Sequence, residues 1–166
     1  MAQHVLHCIA EQIQSAVFFT IMVDETTDCS NKEQVVLVFR WVGEDLVPHE
    51  DFIGLYLTDS IAATALVDII EDVILRMNIK LEHCRGQCYD GASTMSGTKK
   101  GVAKVIATKE SRAIYTHCYG HALNLGVGDT VKQCHLMKSA LDVISGTCRG
   151  GPIRALPGYF CTLYIT

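Results

Sequence analysis

The sequence predicts an α/β domain: a mixed five-stranded sheet with helices on both faces. Three observations predict it. Residues 17–23 are apolar almost throughout and rich in β-branched and aromatic side chains, as expected of a strand buried on both faces. Two further strand-like runs, "QVVLVFRWV" (34–42) and "DFIGLYLT" (51–58), follow closely. The linkers are too short for a crossover helix, so these three strands form an antiparallel meander. After residue 60, helical and strand patterns alternate, which requires crossovers that return each new strand to the same sheet.

Each element has its own local signal. Val5, Leu6, Ile9 and Ile13 fall at helical spacing, so residues 3–15 read as a short amphipathic helix. Gly43 and Pro48 mark the turn between the second and third strands. Ser60 is the expected N-cap of a helix whose inward face carries Leu66, Ile69, Ile70, Val73, Ile74 and Met77. A fourth strand, "CRGQCYD" (84–90), stops at Asp90 and Gly91. Residues 98–109 read as a helix with Val102, Val105 and Ile106 inward, and "AIYTHCYG" (113–120) as the fifth strand. Cys134, Met137, Leu141 and Ile144 place a last helix over 130–145. Residues 1–146 therefore read as one core. Residues 147–166 read as a separate, poorly ordered tail, because prolines and glycines interrupt them without any sustained period.

Composition narrows the function classes. At 166 residues and 49% hydrophobic content the chain can build one sizeable core. The net charge of −4 and the absence of any basic block beyond Lys99–Lys100 give no electrostatic signature of nucleic-acid binding across the whole surface. No apolar run approaches the ~20 residues needed to span a bilayer. "MAQHVLHCIAEQIQ" does not read as a secretory signal, so the eight cysteines are expected to be reduced thiols in the cytoplasm or nucleus.

The first strand raises the chemical question, because it runs directly into Asp24, Glu25 and Asp28. The fourth likewise ends at Asp90. Ligands of open α/β sheets gather at the carboxyl ends of parallel strands. If strands one and four are parallel neighbours, Asp24 and Asp90 face one another and repel unless a proton or a cation intervenes. Such hard oxygen ligands suit Mg²⁺ or Mn²⁺. Equally, Asp24 and Asp28 can cap a turn and Asp90 can open one. "GASTMSGTKKG" has the glycines of a phosphate loop, but Thr98 stands where the lysine belongs, so the glycines are expected to serve a tight turn and the lysines a solvated face. Cys84 and Cys88 with Cys118 and His121 sketch a zinc site, although the spacing is far longer than in a zinc finger. The plainer expectation is that Cys118 and His121 fix the strand–helix junction near the acidic pair.

"MVDETTDCSNKEQVVLVFRWV", "QCYDGASTMSGTKKGV" and "THCYGHALNL" together resemble transposase-derived proteins of the hAT superfamily, in particular the domain of unknown function found beside MYM-type and related zinc fingers. The resemblance covers about residues 5–145. It implies a ribonuclease-H-like fold and two-metal phosphoryl transfer on DNA by an Asp, Asp, Glu triad. Matched by position, Asp24 is the first acid and Asp90 the second. It implies a nuclear location, with DNA or other transposase-derived and zinc-finger proteins as partners.

The chain also departs from that family. The family's third acid is a glutamate on a helix beyond a helical insertion, and the last glutamate here is Glu110. The ribonuclease-H-like core is therefore expected to be incomplete at its C-terminus and without DNA cleavage or strand-transfer activity. The residual pair Asp24 and Asp90 would hold Mg²⁺ or Mn²⁺ only weakly. The alternative is a metal-independent module for binding protein or nucleic acid. A phosphatase with an aspartate nucleophile is disfavoured, since Thr26 stands where its second aspartate belongs.

Overall fold

The structure, a computed structural model, describes residues 2–27 and 32–140. Its elements run α1 (Ala2–Ser15), β1 (Phe19–Thr27), β2 (Glu33–Val42), β3 (Pro48–Thr58), α2 (Ala63–Arg76), β4 (Cys84–Tyr89), a short α3 (Ser93–Ser96), α4 (Val102–Lys109), β5 (Ile114–His117) and α5 (Tyr119–Gln133), with a 3-10 turn before β4. The five strands form one mixed sheet ordered β3-β2-β1-β4-β5. β1 is central, antiparallel to β2 and parallel to β4, and β5 is parallel to β4. This is the α/β architecture that the meander and the later alternation predict.

The chain divides into two compact units, Met1–His117 and a second beginning at Cys118. In the first, alternation along the strands sorts side chains to two faces. Phe19, Ile21 and Val23 of β1 point with Val35, Leu37, Phe39 and Trp41 of β2 into one buried cluster. Ile13 of α1, Leu66, Ile70 and Val73 of α2, and Val102 and Ile106 of α4 close over it. A bulge between Leu37 and Val38 leaves Ile53 of β3 without an opposite residue and turns it into the same core, where it is 4% exposed. Gln87 is a polar exception at 1% exposure. Its amide nitrogen donates to the carbonyls of Ala103 (3.1 Å) and Ala113 (2.9 Å), so β4 clamps both α4 and the approach to β5.

Four sequence expectations need correction. β1 is not apolar on both sides: Thr20, Met22 and Asp24 on its second face are half-buried, and Val17 and Phe18 precede the strand and are exposed. The strand continues through the carboxylates to Thr27 because its ladder with β2 runs unbroken to Glu33. Ser60 does not cap α2. The N-cap is Ala62, and the Ser60 hydroxyl instead accepts the Ala62 N–H at 3.2 Å in the preceding turn. The helix expected over 98–109 begins only at Val102, since the backbone folds back on itself at Gly97 and Gly101, where a Cβ at either would collide with neighbouring main chain. The fifth strand ends at His117 rather than residue 120, because its partner β4 ends opposite, at Tyr89.

The final helix therefore starts at Tyr119, well before the expected 130–145. It breaks at Cys134, and residues 135–140 are again helical. Gly120, Gly126 and Gly128 weaken its helical signature in the sequence. The remainder of the expected helix, the tail 147–166 and Asp28 lie outside the described residues.

α2 ends in a Schellman motif. The Ile79 N–H donates to the Ile74 carbonyl and the Asn78 N–H to the Leu75 carbonyl, both at 3.0 Å, while Asn78 takes a left-handed φ of 52°. Asn78→Val should therefore destabilise the chain by about 1–2 kcal/mol, since a β-branched residue resists that backbone, whereas Asn78→Gly should be neutral or slightly stabilising. Urea unfolding of both variants measures the difference.

Candidate functional site

The acidic pair lies at the carboxyl ends of two parallel neighbours. The β1–β4 register pairs Ile21 with Gln87 and Met22 with Cys88. Carried on by two residues, it sets Asp24 opposite Asp90. Strands in a sheet lie ~4.8 Å apart, so the topology brings the two sequence-predicted acids to one end of the sheet. Both are half-buried.

The Asp90 carboxylate has a structural task. Its Oδ1 accepts the Ala92 N–H at 3.1 Å and closes the turn that leads into α3. Other groups pin the same turn. The Tyr115 hydroxyl donates to the Asp90 carbonyl at 3.1 Å, and the Ser96 hydroxyl donates to the Gly91 and Ala92 carbonyls at 3.0 Å each. Gly91 is needed because a Cβ there would lie 2.8 Å from Cε1 of the His117 ring.

Glu25 is the residue that the sequence analysis left without a role. Following Asp24 in a strand, it points to the opposite, core-side face. Its Oε1 is buried and has no hydrogen-bond partner. Burial above all, then the charges of Asp90, Glu33 and Asp24, push its pKa above the usual carboxylate range. The side chain thus favours a proton. The signal was in the sequence, as adjacent acids inside a strand cannot share a face.

The cysteines and histidine that sketch a zinc site have other settings. The Cys84 thiol is fully buried, donates to the Gly86 carbonyl at 3.2 Å, and is pushed up to about 11, chiefly by burial, so it remains a protonated thiol. Cys118 is the N-cap residue of α5 and His121 lies in that helix's first turn, both within the second unit, while Asp24 and Asp90 belong to the first. Among the described residues, no group of three His, Cys, Asp or Glu side chains is placed to hold a metal ion, and the five described cysteines are free thiols. The described residues therefore do not fit a two-metal centre, which needs several carboxylate ligands. The glycine and lysine segment lines a shallow cleft of about 450 Å³ with Ala62, Ala63, Ser93 and Thr94. Its lysines are exposed, as expected of a solvated face.

A carboxyl whose pKa is raised on folding favours the fold fully below its unfolded pKa, and that contribution is lost as pH rises through the folded value. Glu25→Gln should therefore stabilise the chain at neutral pH by about 1 kcal/mol, and the gain should vanish toward about pH 4. Thermal melts of both proteins across that range measure it.

Comparison with known proteins agrees with the geometry. The family model for the ZMYM1/FAM200 RNase-like domain, DUF4371, matches residues 1–101. The human protein named "52 kDa repressor of the inhibitor of the protein kinase" (Homo sapiens) is 30% identical over 128 residues, covering 75% of this chain and 17% of the relative. Its mouse counterpart (Mus musculus) is 28% identical over the same length and shares of each chain. The chain thus spans less than a fifth of the length of these curated relatives. The chain belongs to the ZMYM1/FAM200 RNase-like domain family, a transposase-derived, RNase-like domain.

Proposed function

We propose that this chain is a transposase-derived core that no longer cuts or joins DNA and acts as a nuclear binding module. The observation that carries this reading is that, among the described residues, no group of three His, Cys, Asp or Glu side chains is placed to hold a metal ion, whereas two-metal chemistry needs several carboxylates. Asp90 also gives one carboxylate oxygen to the Ala92 N–H in a pinned turn, which leaves it the other. Glu25 supports the reading from the other side. It points to the core-side face, opposite Asp24, so it does not join the pair on their face of the sheet.

Asp24 and Asp90 are the residues that would hold a single Mg²⁺ or Mn²⁺, weakly, since Mg²⁺ keeps several of its waters when few carboxylates are offered. Bound there, the ion would supply neutralisation of the paired charges. The protein's own groups keep the turn closed and hold the two strand ends together. The relatives' printed names refer to repression, and the hAT-like motifs point to DNA or to other transposase-derived and zinc-finger proteins as partners. No helix among the described residues is long and apolar enough to cross a membrane.

Supercoiled plasmid incubated with the purified chain and either Mg²⁺ or Mn²⁺ should remain intact. The same ions should raise the melting temperature slightly, and Asp90→Asn should abolish that rise. Nicking that requires metal and disappears in both Asp24→Asn and Asp90→Asn would overturn the inactive reading.

A further inference from the structure

β3 is the edge of the sheet, hydrogen-bonded on one side to β2. Its two halves differ. The first carries the usual protection of a free edge, a proline and charged side chains. Pro48 opens it, Glu50 pairs with Arg40 at 3.1 Å, and Asp51 accepts the Trp41 indole N–H at 2.7 Å. The second half, "FIGLYLT", has neither charge nor proline. On the face opposite the core that α1, α2 and α4 cover, Phe52, Leu55 and Leu57 are 48%, 54% and 64% exposed. An uncharged open edge with large apolar side chains is a template for another strand.

We propose that this half-edge pairs antiparallel with the same segment of a second copy of the chain, about a twofold axis at Tyr56. That register is self-complementary. Leu55 of each copy faces Leu57 of the other, so apolar side chains meet across the ladder. Glu50 and Asp51 fall beyond the partner's strand, opposite uncharged Ala62 and Ile61, and never meet their own copies. A parallel arrangement in register would set Glu50 against Glu50 and Asp51 against Asp51, which repel. The charge distribution therefore favours the antiparallel pair over the parallel one, and a second copy fits the edge because this register sets its apolar half against an equal apolar half and keeps its charges apart. An edge this short buries less than the ~1,200 Å² of a standard interface, as weak, transient pairs do, so the pair is sought at micromolar concentrations.

Sedimentation velocity over a micromolar concentration series tests the pair. The wild-type chain should dimerise. Leu55→Lys/Leu57→Lys and Leu55→Glu/Leu57→Glu, each checked for its fold by circular dichroism, should each weaken self-association by about tenfold or more, because like charges then face each other twice. An equimolar mixture of the two variants should restore the dimer. Hydrogen exchange on the wild-type chain provides a reading that needs no variant: amides of residues 54–58 should gain protection as concentration rises. A wild-type chain that stays monomeric with unchanged exchange there overturns the proposal. So does a dimer that both charged variants leave intact, or a mixture that fails to re-associate.

Discussion

The parallel pairing of β1 with β4 is the constraint on which the rest of the structure depends. β1 meets β2 through a short connection, and that side needs only a meander. β4 can lie parallel to β1 only if the chain first crosses back over the sheet, and α2 is the element that carries it. Because α2 crosses, Leu66, Ile70 and Val73 cover Ile21 and its neighbours, and the core closes. β4 then fixes β5 by a second parallel pairing, and Gln87 ties the intervening α4 to the sheet from below. The same register, Met22 against Cys88, determines which residues follow at the strand ends. Asp24 and Asp90 come together as a consequence of topology.

Two glutamates show how environment assigns chemistry to one side-chain type. Glu110 accepts three hydrogen bonds from Arg112, through its backbone N–H at 2.9 Å, Nε at 2.8 Å and Nη2 at 2.7 Å, and these hold its pKa down to about 2. Glu25 has a buried oxygen with no donor and is surrounded by carboxylates, and its pKa moves up. The first carboxylate supports a helix end as an anion. The second, beside the acidic pair, is held above the usual carboxylate range. Asp90 gives one carboxylate oxygen to its own turn.

Much of this was legible in the sequence because the relevant signals were local or periodic. The central strand showed in the apolar run 17–23, and α1 and α2 showed in their apolar spacing. The parallel neighbouring of strands one and four followed from the crossover rule, and their register ends at Met22 opposite Cys88, two residues before Asp24 and Asp90. The rest was decided by partners far along the chain. β1 outran its apolar run because β2 continued beside it. β5 stopped early because β4 stopped, which no property of "AIYTHCYG" itself reveals. The bulge at Ile53 and the clamp by Gln87 depend on contacts made only in the folded sheet. Ser60 looked like a cap by residue type, yet the helix began three residues later.

The central claim is that the Asp24 and Asp90 carboxylates face one another across the β1–β4 ladder. A double-mutant cycle in metal-free buffer at neutral pH tests it most directly. Asparagine keeps the shape of both side chains and leaves Asp90's turn an acceptor, so the cycle isolates charge. Each single substitution, Asp24→Asn or Asp90→Asn, removes their mutual repulsion together with the other interactions of its carboxylate, so the coupling and not the single effects is the readout. The double variant should gain less than the sum of the two, with a coupling of ~0.5–1 kcal/mol that added salt diminishes. Strictly additive effects, independent of salt, would mean that the two carboxylates do not sense one another and would contradict the account.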